Sequence, residues 1–494
     1  MSIHRNNRRR ISRTPLSRFF PSRFFGKICL YSSHVELSGP VNSALLHAKR
    51  SLLAVAFTIF ALSIFVSGAF AQEALLATAE TTEPNTTIAP EQSIDLTSDV
   101  NPPLPVASTD PAIESVPANV DSGIPRRFHY QFRLAVRSVY DDNINLSQNM
   151  RISDFYTSIE PSVMVGFGDI DARAENYIRL DYLPAVFLFA DHDENNSVQH
   201  VVRLDGQYRI NRLTLNLSQM VQIMDGVDVQ AQNSAGGLDQ QVNLDVAGRT
   251  RFNIYTTHAN LAYYVTGKTF LSSGADYTST HYSSLISSEV FSANLFINYN
   301  YSDKIVLGVG GTAGADRVDA PNPDQTFEQA NVRLSYQATG KIDFAASAGV
   351  EFRHFDGDMR DQYTSPVFEI GMNYVPFDGT KISVTANRRV LNSAVLANQN
   401  YVVTNFSVGV QQRLLQRFSL GVNAGYENSD YFSTVSNSGS ARSDDYFFVQ
   451  PSIAVRVTRF WTVGAYYLHR ANDSSFDAFS FHDNQVGLRS SLEF

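Results

Sequence analysis

Cysteine and tryptophan are almost missing from these 494 residues, which hold one of each. Cys29 precedes the apolar run described below. The chain beyond that run therefore has no disulfide, no thiol nucleophile, no thiolate metal site and no cysteine placed to take a lipid. Charge is also scarce, at 18% of residues against roughly 25% in soluble domains. No long apolar run follows residue 71, which excludes a bundle of membrane helices, since each span needs about 20 consecutive apolar residues. A basic excess is lacking as well. Without residues 1–71, where ten Lys and Arg face the single acid Glu36, 29 basic residues stand against 47 acidic ones. Nucleic-acid binding requires a basic face, and this balance supplies none.

What the chain does have is Phe and Tyr, 34 and 23 residues, at a mean hydropathy of only -0.16. Its one apolar run, 51–67, follows Lys49-Arg50 and precedes Ala69-Phe70-Ala71. A positive flank, an apolar core and an A-x-A site are the parts of a secretory signal peptide, with cleavage expected after Ala71. An N-terminal membrane anchor is the alternative, because the run is slightly long for a signal. Arg8-Arg9-Arg10 lie too far upstream of the apolar core for a twin-arginine signal. Residues 1–71 are thus read as an extended leader. Residues 72–125 hold 8 of the 18 prolines and nine acidic residues, with no Lys, Arg or aromatic residue. Such a segment buries too little apolar surface to offset its ordering entropy, so it is read as a disordered linker, with docking of a periplasmic partner as a second use.

Residues 126–494 are expected to form one all-β domain. Phe418, Leu420, Val422, Ala424 and Tyr426 alternate with Ser419, Gly421, Asn423, Gly425 and Glu427. Similar period-two stretches run through 202–210, 332–338 and 342–353. Such alternation means strands with one dry and one wet face. Short polar turns, such as Asn211-Arg212 and Thr339-Gly340-Lys341, alternate with long polar loops, such as 141–153 and 225–250. That asymmetry predicts a transmembrane antiparallel up-and-down β-barrel of about 18 strands (16–20), with short turns in the periplasm and long loops outside. A further strand pair is conceivable around Val242, Leu244 and Val246. A soluble sandwich or propeller would instead have loops of similar length at both ends.

Closure requires the last strand to pair with the first, around Tyr130, Phe132, Leu134 and Val136, so that no edge is left. Val486, Leu488, Leu492 and Phe494 lie on one face of that last strand. A terminal alternating strand ending in Phe resembles the signature by which bacterial outer-membrane proteins engage the barrel-insertion machinery. The segments Ser138-Val-Tyr-Asp-Asp-Asn-Ile-Asn-Leu146 and Ser153-Asp-Phe-Tyr-Thr-Ser-Ile-Glu-Pro161 resemble the start of the putative β-barrel porin type 2 family. The resemblance implies a Gram-negative outer-membrane barrel, in contact with outer-membrane lipid and lipopolysaccharide, and a link in some members to exopolysaccharide genes.

A barrel of this size leaves an aqueous lumen unless something plugs it. The residues expected to face inward are Arg133, Arg137, Arg179, Asp181, Arg203, Asp205, Arg209, Arg333, Asp343, Glu351, Arg353, Lys381, Arg413, Glu427, Arg456 and Arg489. Basic groups outnumber acidic ones among them, which suits small polar or anionic solutes. The reading is a porin-like diffusion channel. The alternatives are a structural or secretion-linked barrel serving exopolysaccharide export and, third, an outer-membrane hydrolase. The hydrolase reading names no catalytic residue, since the histidines are scattered singly along the chain and a nucleophile must have its base within reach. Asp141-Asp142 and Asp444-Asp445 are taken as solvated loop charge, because neighbours on a strand point to opposite faces, with calcium binding through oxygen ligands as the lesser alternative. No cofactor, metal or nucleic acid is expected: there is no phosphate loop and no zinc spacing.

Overall fold

The computed structural model describes residues 128–168, 170, 176–227, 242–246, 248–338, 340–356, 362–435 and 442–494. The leader, the apolar run and the acidic linker lie outside the described residues. The first six strands are β1 (Phe128–Asp141), β2 (Asp154–Gly168), β3 (Tyr177–Phe189), β4 (Ser197–Ile210), β5 (Leu213–Gly226) and β6 (Thr250–Tyr264). Next come β7 (Thr269–Tyr282), β8 (Ser288–Ser302), β9 (Ile305–Val318), β10 (Gln325–Ala338), β11 (Ile342–Phe355) and β12 (Tyr363–Tyr374). The series ends with β13 (Thr380–Asn392), β14 (Gln399–Leu414), β15 (Phe418–Ser433), β16 (Ser443–Arg456), β17 (Trp461–Ser474) and β18 (Phe481–Glu493).

Each strand pairs antiparallel with the next, and β1 pairs with β18 in register from Arg133↔Glu493 to Asp141↔Gln485. The 18-stranded ring is therefore closed, with the strand number and order that the alternation predicts. Closure is what permits such a sheet to cross a bilayer, where an unpaired backbone group costs several kcal/mol. At the short-turn end Asn211 takes φ +51, joining β4 to β5 in two residues. Asn tolerates this left-handed conformation better than most side chains, which suits the tight hairpins on this side.

The alternation sorts side chains between bilayer and bore. Along β8, Phe291, Leu295 and Ile297 are exposed outside, while Ser292, Asn294, Phe296 and Asn298 are buried inside. Leu295 is 58% exposed and its neighbour Phe296 is 0% exposed. Phe296 owes its burial to β9, whose inward positions Gly308, Gly310 and Gly314 carry no side chain. A Cβ at Gly310 would strike the Phe296 ring, and one at Gly314 the Phe327 ring. Both rings therefore lie flat on the wall, and Arg333 and Arg353 stack over them at 4.0 and 5.0 Å.

Leu295 sits midway along β8 on the lipid side, so Leu295→Arg should destabilise the barrel by about 2–4 kcal/mol. Urea titration of folding into lipid vesicles measures this directly. A change below half a kcal/mol would mean that Leu295 does not face hydrocarbon.

Candidate functional site

Three segments from the long-loop end turn into the bore. The first is the β1–β2 loop. Asn143 is buried, and its Nδ2 donates to the carbonyls of Ser147 at 2.9 Å and His482 at 2.8 Å. This clamp and the left-handed Leu146 (φ +48) aim two apolar side chains inward. Ile144 packs with Val139, Tyr156, Phe187 and Leu468, and Leu146 packs with Val242, Leu244, Tyr446 and Phe481.

One acid of each pair, Asp141 and Asp444, is buried rather than solvated as the sequence suggested, while Asp445 is exposed. Asp141 is 3% exposed and accepts from the Asn143 backbone at 2.7 Å and from Gln485 at 3.0 Å. Asp142 accepts from the backbone and side-chain nitrogens of Asn484, at 2.8 and 2.7 Å. Asp444 is buried against Arg442, while Asp445 accepts a hydroxyl from Tyr426 at 2.5 Å. Opposite faces were expected correctly, but each face finds donors on a neighbouring strand, which one strand's sequence does not show. Asp141, Asp142 and Asp483 bring carboxylate oxygens within 4.8 Å of one another. Asn143, Asn484, Gln485 and Arg470 donate to them, so the trio serves as a hydrogen-bonded lock on the β1–β18 seam.

The second segment is Val242–Val246 of the β5–β6 connection. It is not the extra strand pair that its alternation allowed, and the ring closes without it. Val242 and Leu244 enter the apolar cluster around Leu146 and Phe481. Asp245 accepts from Ser393 Oγ at 2.7 Å, the Ala394 backbone at 2.5 Å and Tyr431 at 3.1 Å. Burial pushes the Asp245 carboxyl above its usual range, while these donors and the nearby Arg442 act the other way. Arg442 donates to the carbonyls of Asp245 at 3.1 Å and Leu244 at 2.6 Å, pairs with Asp444 at 2.5 Å, and lies 3.5 Å over the Phe479 ring. These partners belong to β15, β16 and the β13–β14 and β17–β18 loops. In a ring of eighteen, that is the wall opposite β5 and β6. The segment therefore crosses the bore and is held at the far side.

The third is the upper part of β13–β15. Pairing between β12 and β13 stops at Phe368↔Arg388, although β12 runs on to Tyr363 and β13 to Asn392. Beyond that point β13–β15 bend inside the barrel wall. Val390 and Val402, in phase with the exposed Phe406 and Val410, are buried. Asn400 of β14 donates to Gln325 of β10 at 2.7 Å, and Tyr363 of β12 stacks on Phe432 of β15 at 3.9 Å, two strands being skipped in each case or more. The tip of this flap touches two other loops: Ile286 N–H donates to Ala394 O at 2.9 Å, and Asn322 Nδ2 to Ser393 O at 3.2 Å.

Most of the residues expected to face inward have close polar partners. Arg133 meets Glu493 at 3.3 Å, Arg137 meets Glu160 at 3.0 Å and Arg179 meets Asp181 at 2.7 Å. Arg353 lies 2.8 Å from Glu351 and 3.5 Å from Asp316. Arg333 donates to Asn298 and Ser272, Asp205 accepts from Ser218, Asp343 from Gln337 and Glu427 from Asn405. Arg203 approaches the Met220 sulfur at 4.0 Å, and Arg209, Arg413 and Arg489 are engaged too. Lys381 and Arg456 lie near the short-turn ends of β13 and β16. Sequence reading passed over Glu160, Asp316, Glu369, Arg389, Arg442 and Arg470. For the strand residues among them the phase of alternation was the available signal. These six add three acids and three bases, so basic groups still outnumber acidic ones on the wall, but several of the arginines are held by carboxylates.

Several solved barrels are similar to this chain. OccK1 (OpdK) of Pseudomonas aeruginosa matches with 11% identity and a TM-score of 0.38, covering 74% of this chain and 99% of that one. OccK2 (OpdF) of the same organism, solved in complex with glucuronate, gives 11% and 0.41, with 74% and 98% covered. OccAB3 of Acinetobacter baumannii gives 8% and 0.39, with 74% and 99% covered. No curated protein matches the chain. The family described as Putative beta-barrel porin 2 matches residues 128–494, the whole of the closed ring. The chain belongs to that family of outer-membrane, porin-type barrels.

Proposed function

We propose that this protein is a constricted diffusion channel for small polar solutes, charged ones included. The observation that carries the reading is the crossing of the bore by Val242–Val246, anchored on the opposite wall through Asp245 and Arg442. Pore-lining polarity and the width of the narrowest section decide what a barrel passes. Here the section is narrowed by three inserts, and the wall carries both signs of charge. That favours size and hydrogen bonding over a strong preference for anions. A hydrolase is less well supported. His258 holds Asp276 at 2.6 Å and His192 holds Asp154 at 3.0 Å, yet among the described residues no serine hydroxyl bonds either imidazole, as an activated nucleophile would.

Planar-bilayer recording of the refolded protein tests the channel. The expected result is a steady ohmic step in salt that falls when the added solute is too large for the constriction. A folded barrel that carries no ion current removes the reading.

A further inference from the structure

One arc of the short-turn end opposes the acidic balance of the chain. Lys381, Arg413 and Arg456 stand near the short-turn ends of β13, β14 and β16, and Arg417 and Arg459 lie in the turns that follow β14 and β16. Asp378 is the one acid among the described residues of this arc, so setting it against one of the five bases leaves an excess of four. The bases are neighbours in the ladder: Arg413 N–H donates to Gly379 O at 2.6 Å, and Arg456 N–H to Arg417 O at 2.8 Å. Arg413, Arg417 and Arg459 are exposed, and Lys381 and Arg456 keep part of their surface open. Like charges gathered on an open rim repel one another. Beyond residue 71 the chain has 29 basic residues against 47 acidic ones, so this arc runs against the overall composition.

The chain enters the barrel at this same end, where β1 starts with Phe128 opposite Phe167 at the foot of β2. Ahead of it, residues 86–125 hold six acids, Glu91, Asp95, Asp99, Asp110, Glu114 and Asp121, and no Lys, Arg or His. Extended at ~3.1 Å per residue, the step from Glu91 to Asp99 spans about 25 Å. The arc from β13 to β16 covers three strand spacings of about 4.8 Å, roughly 15 Å, so several of these acids can meet it together. An exposed ion pair is weak by itself. A tether, however, holds the two partners at an effective concentration of millimolar order, so a few weak pairs suffice.

We propose that residues 86–125 dock on this basic arc, as an intramolecular partner of the short-turn mouth. The acids of the segment offset the charge of the arc, which alone would draw anions to the entrance. The contact is independent of the Val242–Val246 constriction, which comes from the long-loop end.

The test is disulfide cross-linking, with an added mild oxidant, of the chain recovered from the outer-membrane fraction and carrying Cys29→Ser. Ser98→Cys, between Asp95 and Asp99, is combined either with Phe377→Cys in the β12–β13 turn or with Gly267→Cys in the β6–β7 turn. Round the ring from β1, Gly267 is the nearer of the two, so tethering alone favours it. Docking is expected to make the Phe377 pair form at least tenfold faster at low salt. That preference should be lost in 1 M NaCl, where the Debye length is about 3 Å, and on changing the six acids to Asn and Gln, which lie outside the barrel. Equal rates at low salt, or a preference that survives salt and neutralisation, overturn the proposal. A preference seen in neutral detergent that vanishes in vesicles containing phosphatidylglycerol assigns the arc to lipid headgroups and overturns it too. If Phe377→Cys fails to fold, judged by heat-dependent gel mobility, Thr458→Cys beside Arg459 replaces it and the salt dependence decides. Cross-linking needs no current, so its failure leaves the channel reading standing, and a barrel without current leaves the docking standing.

Discussion

Arg442→Ala should raise the single-channel conductance several-fold and open the Val242–Val246 segment to protease. The guanidinium is fully buried and serves three partners: the carbonyls of Leu244 and Asp245 and the carboxylate of Asp444. It is also enclosed by the rings of Phe479 and Tyr431, at 3.5 and 4.6 Å. Alanine leaves Asp444 buried without its counter-charge, and breaking such a pair from one side costs about 3–5 kcal/mol. Because Arg442 holds the crossing segment, the loss falls on the closed arrangement more than on the barrel ladder. It should reduce the ratio of anchored to released segment on the order of a hundred- to a thousand-fold. Removing the stranded acid as well, in Arg442→Ala with Asp444→Ala, should recover part of the stability but not the constriction, since the carbonyl contacts are still lost. Unchanged conductance in the single variant would show that the segment does not limit flow.

The strands of this protein are legible in the sequence because period-two alternation is a local property. Leu213–Gly226 and Thr250–Tyr264 begin within a few residues of where polar turns and renewed alternation place them. The constriction is not legible in the same way, because it depends on partners far along the chain. Val242, Leu244 and Val246 alternate like a strand, yet Val242 and Leu244 are buried by Leu146 and Phe481, roughly a hundred or more residues away on either side. Val390 and Val402 have the phase of lipid-facing residues and are buried only because the flap carries them inside the wall. The charges follow the same rule. Arg137 is visible in its strand, but whether it is free depends on Glu160 across the β1–β2 ladder, and that pairing exists only once the register is known. The Tyr-Asp-Asp-Asn-Ile-Asn-Leu stretch at 140–146 falls between the two cases. Its resemblance to family members pointed to the barrel, while its local task, directing Ile144 and Leu146 inward, required the fold.

Deleting Phe494 should lower the yield of folded barrel in cells at least tenfold, yet change refolding into vesicles only a few-fold. Phe494 supplies the rung next to the short-turn end of the β1–β18 seam. Its carbonyl accepts from Phe132 N–H at 3.1 Å, and its N–H donates to Phe132 O at 2.8 Å. Its ring lies 6.4 Å from Phe132 and 6.1 Å from Phe460. Two surface backbone hydrogen bonds are worth roughly 0.5–1.5 kcal/mol each, and the ring is 61% exposed, so thermodynamics alone predicts a modest loss. The rest of the seam, from Arg133↔Glu493 to Asp141↔Gln485, can still close. A large effect confined to cells would mean that Phe494 acts before closure, when insertion depends on capturing the free β18 edge. Phe494→Tyr, which keeps the rung and an aromatic ring, should then behave almost as wild type. Heat-dependent gel mobility of the outer-membrane fraction and of the refolded protein measures both arms. Equal losses in the two would place the whole effect in the rung and remove any role for Phe494 in recognition.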